Sequence, residues 1–216
     1  MKHERGGRLT TYILPGMGAD SSMYGPAFKK LKDIQYLDWP TYNNEKSIKD
    51  ISIRIINEYN IDSSDIVGGS SLGGMVSAEI AKNVDVKKII LIGSTLTAEN
   101  ISPILKKLSV LSEIAPINLI KAFVGKAGVI SKNHLLKVFG NVDSAFIKAM
   151  CKAVFEWDGN PTPQCDYSHI HGAKDLVIYP PKTGATIIDD GGHLIPIFHE
   201  EEVAEFIRVN TYISLQ

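Results

Sequence analysis

The 216-residue chain has little cysteine and no excess of charge of either sign. Its two cysteines, Cys151 and Cys165, have neither a C-x-x-C nor a zinc-ligand spacing, which excludes a disulfide framework and a zinc module. We therefore expect two reduced thiols in a cytoplasmic protein. The 23 basic and 24 acidic residues give a net charge of −1, so nucleic acids and anionic lipid surfaces are not expected partners.

Long apolar runs are also missing. No run approaches the roughly 20 residues that a membrane-spanning helix needs, and the polar start MKHERGGRLT lacks the apolar region of a secretory signal. The sequence contains no internal repeat and no low-complexity tract. Hydrophobic residues make up 44% and charged residues 22%, as in ordinary globular domains. We predict one folded domain that does not span a membrane.

Strand and helix signals alternate along the first 94 residues. Apolar runs predict strands at 10–14, 34–37, 65–67 and 88–92. Helical spacing predicts intervening helices at 47–60 and 72–83. Further strands at 167–171 and 185–188 precede a final helix at 197–209. This order predicts an α/β fold with a mostly parallel central sheet of about six strands, flanked by helices.

The alternation is interrupted between residues 95 and 165. Apolar spacing there predicts short amphipathic helices broken at Pro103 and Pro116, and then a helix at 144–157. We interpret this stretch as an inserted helical cap. The predicted core is formed by 1–94 together with 166–216, within a single overall domain.

A candidate nucleophile lies in the segment Gly69-Ser70-Ser71-Leu72-Gly73, which matches G-x-S-x-G. The motif follows a predicted strand and opens a predicted helix, the context that a nucleophile elbow requires. The turn lifts the Ser71 hydroxyl clear of the sheet, and the helix start offers the Leu72 N–H to an oxyanion. A Gly-rich helix cap or a phosphate-binding turn has a similar composition, although the Gly-Lys-Ser/Thr of a P-loop is absent.

A serine hydroxyl needs a general base, and that base needs an orienting acid. His193 follows the last predicted strand, on the edge where active-site loops of open α/β sheets lie. Asp175 follows the preceding strand and is our preferred acid. Asp189 and Asp190 are rival acids, but they lie too close to His193 in sequence for an easy side-on approach.

Two more histidines, His169 and His171, flank one residue of a predicted strand and therefore point to the same face. A metal pair would need further ligands, and no carboxylate cluster with ligand spacing accompanies them. We predict structural roles for both residues and no metal site.

Four blocks together resemble the α/β-hydrolase fold superfamily, of the serine hydrolase or esterase type with a small cap. They are Leu14-Pro15-Gly16-Met17-Gly18, 69–73, 171–175 and 191–193, in the family's order. The resemblance implies a catalytic nucleophile at Ser71, an acid at Asp175 and a base at His193. It also implies backbone oxyanion donors at Met17 and Leu72, with Pro15 in place of the histidine that usually precedes the first loop glycine. The usual first hairpin is missing, and the helix usually found between the acid and the base is reduced.

The resemblance implies a serine hydrolase that cleaves an ester or thioester of a small-molecule substrate, without a cofactor or metal. Candidate pocket-lining residues are Met75, Phe155 and Trp157. The same triad also serves C–C bond hydrolases, lyases and cofactor-free haloperoxidases, and the fold occurs in small-molecule-binding proteins without catalysis. Ser71 argues against the dehalogenases and epoxide hydrolases of this fold, which carry Asp at that position. The subfamily, substrate and oligomeric state stay open.

Overall fold

A computed structural model describes residues 9–103, 138 and 143–211. These residues form a six-stranded, all-parallel sheet with the spatial order β2-β1-β3-β4-β5-β6. The strands are β1 (Thr11–Leu14), β2 (Ile34–Tyr36), β3 (Ile66–Ser70), β4 (Lys88–Ile92), β5 (Asp166–Gly172) and β6 (Thr186–Ile188). The helices of the described ranges are α1 (Pro26–Lys29), α2 (Ile48–Tyr59), α3 (Leu72–Asn83), α4 (Ser144–Phe155), α5 (Ile195–Phe198) and α6 (Glu200–Thr211). The predicted sheet of about six strands flanked by helices is confirmed.

Both faces of the sheet are buried, because side chains alternate between them along each strand. On β4, Ile89 and Leu91 belong to the apolar core under α2, α3 and α4. Ile90 and Ile92 belong to a second core on the opposite face, under α1 and α6. The continuous apolar sequence of β4 follows from this double burial.

The central strand β3 is longer than the sequence predicted. The expected strand covered 65–67, whereas β3 continues to Ser70 and pairs with β1 on one side and β4 on the other. Its glycines have low strand propensity, but a Cβ at Gly68 would lie 2.6 Å from the Ile90 carbonyl oxygen. Close packing between strands therefore outweighs the low strand propensity of glycine. The longer strand leads directly to Ser71 at the carboxyl edge of the sheet.

The predicted C-terminal helix at 197–209 is wrong in its boundaries, because two helices occupy this stretch. α5 begins near Pro196, whose fixed φ favours a first helical turn, and it ends at His199 with φ −127° and ψ 47°. α6 then starts with three glutamates, whose charges favour a helix N-terminus. Between β5 and β6, where the sequence predicted a reduced helix, the described chain contains no helix.

The predicted cap, 95–165, is described only at 95–103, 138 and 143–165. Its helix α4 confirms the helix predicted at 144–157, apart from the last two residues. Phe146 of α4 packs against Trp39, with ring centroids 5.2 Å apart. The short helices predicted around Pro116 lie outside the described residues. No described helix is long and apolar enough to cross a membrane.

Candidate active site

The turn between β3 and α3 places Ser71 in a strained backbone conformation. Its φ of 51° and ψ of −116° are rarely adopted by residues other than glycine. The turn is tight: a Cβ at Gly69 would lie 2.6 Å from the carbonyl carbon of Gly73. A Cβ at Gly73 would lie 2.5 Å from the Leu14 carbonyl oxygen, so neither glycine leaves room for a side chain. This is the elbow geometry predicted from the motif.

The structure brings Ser71, His193 and Asp175 together in one hydrogen-bonded chain. The His193 Nε2 lies 2.9 Å from the Ser71 Oγ, and the His193 Nδ1 lies 2.8 Å from the Asp175 Oδ2. An ionised carboxylate only accepts hydrogen bonds, so Nδ1 carries the proton of the neutral ring. Nε2 is left to accept the serine hydroxyl, which is the arrangement of a general base.

The loop after β5 holds the Asp175 carboxylate in place. Its Oδ1 accepts hydrogen bonds from the Val177 N–H at 2.8 Å and the Ile178 N–H at 3.1 Å. Ile178 also forms an antiparallel bridge with Ile101, which ties this loop to the segment after β4. The Asp175 carboxylate is therefore buried, and backbone groups hold it independently of its contact with His193.

The rival acids Asp189 and Asp190 are exposed, unlike the buried Asp175. The ion-pair partner of Asp190 is His199, with Oδ1 3.8 Å from Nε2. The loop that carries His193 packs closely on β5 because residue 172 is a glycine. A Cβ at Gly172 would lie 2.5 Å from the Gly191 carbonyl carbon and would push the loop away. Asp175 is thus the carboxylate that contacts the base.

His171 forms a contact with the acid that the sequence did not predict. Its Nε2 lies 3.1 Å from the Asp175 Oδ2 and 2.9 Å from the Ile178 carbonyl oxygen. Both partners are acceptors, so this nitrogen carries a proton. The Nδ1 of the neutral ring then accepts from the His169 Nε2, 2.9 Å away. The two histidine nitrogens face each other, which leaves no common direction for a metal ion.

Electrostatics keeps the acid charged and His169 neutral. Burial acts to raise the pKa of Asp175, but the positive charge that His193 carries when protonated and the hydrogen bonds from His171 and His193 outweigh it and hold that pKa well below its usual range. Burial, together with repulsion from a protonated His171, lowers the pKa of His169 to about 3. Burial also raises the pKa of Cys151 to about 11, so its thiol is a poor nucleophile at neutral pH.

The two predicted oxyanion donors lie beside Ser71. Gly16 and Met17 of the loop after β1 line a cavity of about 20 Å³ together with Ser71 and His193. Leu72 is the first residue of α3, where an N–H has no partner within the helix. The residues that line this described cavity do not include the predicted Met75, Phe155 and Trp157. The Trp157 Nε1 donates instead to the Glu79 Oε2 at 2.8 Å.

No protein-family model and no curated protein sequence matches the chain. Three solved structures are similar to it along most of their length. An esterase from Thermogutta terrifontis with malate bound has a TM-score of 0.73 at 16% identity, over 94% of this chain and 89% of its own. A lipase-esterase related protein from Clostridium acetobutylicum has a TM-score of 0.75 at 13% identity, over 94% of both chains. The enol-lactonase from Burkholderia xenovorans has a TM-score of 0.71 at 18% identity, over 96% of this chain and 93% of its own.

These likenesses show that the chain has the α/β-hydrolase fold, as the sequence blocks predicted. At such low identities they show the fold alone, because one fold carries many functions. The activity of each neighbour belongs to that neighbour, so a function for this chain has to be argued from its own site.

Proposed function

We propose that this protein is a serine hydrolase that cleaves an ester or thioester of a small substrate. The observation that carries the proposal is the continuous hydrogen-bonded chain from the Ser71 hydroxyl through His193 to Asp175. The strained elbow, where Ser71 is only half-buried and lines a cavity, and the tautomer of His193 support it, since a serine hydroxyl needs both access and a proton acceptor.

In the proposed reaction the Ser71 Oγ attacks the carbonyl carbon of the substrate while its proton moves to the His193 Nε2. The tetrahedral intermediate collapses, the leaving group takes the proton from His193, and an acyl-enzyme remains. A water molecule then gives a proton to His193 and attacks the acyl carbon, which releases the acid and restores Ser71. Asp175 stays ionised throughout and stabilises the imidazolium.

The developing oxyanion would be held by the backbone N–H groups of Met17 and Leu72. Both belong to residues at the mouth of the elbow, and one lies at the positive end of a helix. Each donor of this kind is worth roughly 10²- to 10³-fold in kcat. The mechanism uses only side chains and backbone groups, and no step requires a cofactor or metal.

The segment 95–165 is proposed to act as a cap that shapes the substrate site. Helix α4 of this segment contacts the loop after β1: the Cys151 Sγ lies 3.4 Å from the Met17 Sδ. A cap in contact with the proposed oxyanion loop is well placed to select substrates by size.

A fluorophosphonate probe tests the proposal, because it labels only an activated serine. The wild-type protein should be labelled at Ser71, as mapped by peptide mass spectrometry, and should hydrolyse 4-nitrophenyl acetate. Ser71→Ala should abolish both, whereas Ser52→Ala, which alters a buried serine of α2 far from the elbow, should change neither. Labelling that persists in Ser71→Ala would refute the nucleophile assignment. A wild-type protein that is neither labelled nor active would refute the hydrolase proposal itself.

A further inference from the structure

Two side chains outside the triad donate hydrogen bonds to the two peptide groups of the proposed oxyanion hole. The Trp39 Nε1 donates to the Gly16 carbonyl oxygen at 3.0 Å, and Gly16 shares its peptide with the Met17 N–H. The Ser94 Oγ donates to the Ser71 carbonyl oxygen at 2.7 Å, and Ser71 shares its peptide with the Leu72 N–H. We propose that Trp39 and Ser94 are positioning residues that hold both oxyanion donors from behind. This inference rests on the proposed function.

The geometry of the peptide group transmits the effect. In a trans peptide the C=O and the following N–H point in opposite directions within one rigid plane, and the described chain contains no cis peptide. A donor that fixes the carbonyl oxygen therefore fixes the direction of the N–H on the other side. A hydrogen-bonded carbonyl also polarises its amide, which makes the N–H a stronger donor.

The Gly16–Met17 peptide has particular need of such support, because it lies in a loop between β1 and a short 3₁₀ turn. Its carbonyl accepts one hydrogen bond from within the loop, from the Ala19 N–H at 3.2 Å. Trp39, which follows the carboxyl end of β2, provides the second. The indole ring packs on Phe146 of α4, which helps to fix its position.

The Ser71–Leu72 peptide follows the strained Ser71 backbone, and its carbonyl oxygen accepts the N–H groups of Gly74 and Met75 in the first turn of α3, at 3.1 and 3.3 Å. Ser94, which is fully buried just beyond the adjacent strand β4, adds a side-chain donor to the same oxygen. Gly74 makes room for this contact, since a Cβ there would lie 2.5 Å from the Ser94 Cβ. The glycine that directly follows the G-x-S-x-G motif is thereby explained by a residue twenty positions later.

Two hydrogen bonds of the same kind provide matched controls. The Tyr24 hydroxyl donates to the Leu14 carbonyl oxygen at 2.6 Å, but that peptide continues into Pro15, which has no N–H to present. The Ser52 Oγ donates to the Lys49 carbonyl oxygen at 2.8 Å within α2, a helix that contributes no residue to the proposed site. Both donors are buried, so their removal perturbs packing comparably without touching a proposed oxyanion donor.

The experiment compares W39F and S94A with the controls Y24F and S52A on one activated ester. We expect W39F and S94A each to lower kcat about 5- to 30-fold, below the roughly 10²- to 10³-fold loss for removing an oxyanion donor outright. KM should stay within about twofold, since the oxyanion exists only in the transition state. The inhibition constant of a boronic acid, which mimics the tetrahedral state on Ser71, should rise in proportion to the loss of kcat. The two controls should keep kcat within about twofold.

Two further variants keep the test decisive if one substitution impairs folding. The double variant W39F/S94A should show roughly the product of the single losses, since the two peptides act independently. Ser94→Cys retains the side-chain volume with a weaker S–H donor and should give an intermediate kcat. If W39F and S94A match the controls in kcat, or if boronate affinity does not follow kcat, the positioning roles are refuted while Ser71 labelling still stands. Absent labelling and turnover in the wild type would refute the proposed function as well.

Discussion

Replacing Asp175 by asparagine alters the group on which four hydrogen bonds converge. Oδ1 accepts from the N–H groups of Val177 and Ile178, and Oδ2 accepts from the rings of His193 and His171. The amide oxygen of asparagine can keep the two backbone donors. Its NH₂ group must then face two ring nitrogens that both carry protons in the wild type.

The substitution therefore favours the opposite tautomer of His193. Its Nδ1 would accept from the asparagine NH₂, and its Nε2 would carry the proton toward Ser71, where it cannot act as a base. The same change in a serine-protease triad lowers kcat roughly 10⁴-fold, or about 5.4 kcal/mol at about 1.36 kcal/mol per tenfold. We expect a loss of about 10³- to 10⁴-fold here, because the neighbouring carboxylates are exposed and cannot substitute.

The assay is kcat/KM for one activated ester across Asp175→Asn, Asp189→Asn and Asp190→Asn, with circular dichroism to confirm folding. The last two variants serve as matched controls and should each lose less than about tenfold, since both side chains are exposed and the buried Asp175 already holds the Nδ1 of His193. If Asp189→Asn or Asp190→Asn strongly lowers kcat/KM while Asp175→Asn leaves it nearly unchanged, the acid is wrongly assigned. It would also mean that the carboxylate loop moves during turnover.

Three further changes test other parts of the site. The pKa of His169 is lowered from 6.5 to about 3, so the unfolded chain binds a proton before the folded one and stability falls as the pH drops across that interval. His169→Gln should flatten this slope by up to about 1.4 kcal/mol per pH unit in urea titrations, and an unchanged slope would contradict the burial argument. Gly73→Ala should lower the thermal midpoint strongly because its Cβ meets the Leu14 carbonyl, whereas Gly192→Ala, with nothing within 4 Å, should be tolerated; equal midpoints would refute the tight elbow. Ser71→Gly should be about 1 kcal/mol more stable than Ser71→Ala, since glycine relieves the positive φ, and the reverse order would show that no strain is stored there.

The sequence predicted those features that depend on short-range pattern. The G-x-S-x-G spacing placed Ser71 at a strand-to-helix turn, and the position of His193 after the last strand placed it at the same sheet edge. Both predictions use only local chemistry and the rule that parallel strands share a carboxyl edge. The choice of Asp175 over Asp189 rested on the same topology, and the hydrogen bond from His193 agrees with it.

Features set by packing between distant segments were missed. The predicted strand ended before the glycines of β3, because glycine favours turns and nothing in the local sequence shows that strands flank these residues on both sides. His171, Trp39 and Ser94 gave no usable signal, since a side chain that bonds to a loop at the end of its own or an adjacent strand leaves no periodicity. Such contacts depend on side-chain direction and strand register, which become visible only once the sheet is assembled.

The all-parallel sheet also determines when the proposed chemistry can begin. No pair of neighbouring strands can form as a local hairpin, and the pairing of Lys88 with Asp166 closes the longest connection between strands. The nucleophile and both oxyanion peptides precede this closure in the chain, whereas the acid and base follow it. A growing or partly folded chain thus holds an unactivated serine, because slow, non-local pairing must finish before a base reaches it. During refolding, esterase activity would return with the last kinetic phase, well after the helices, and so report completion of the fold.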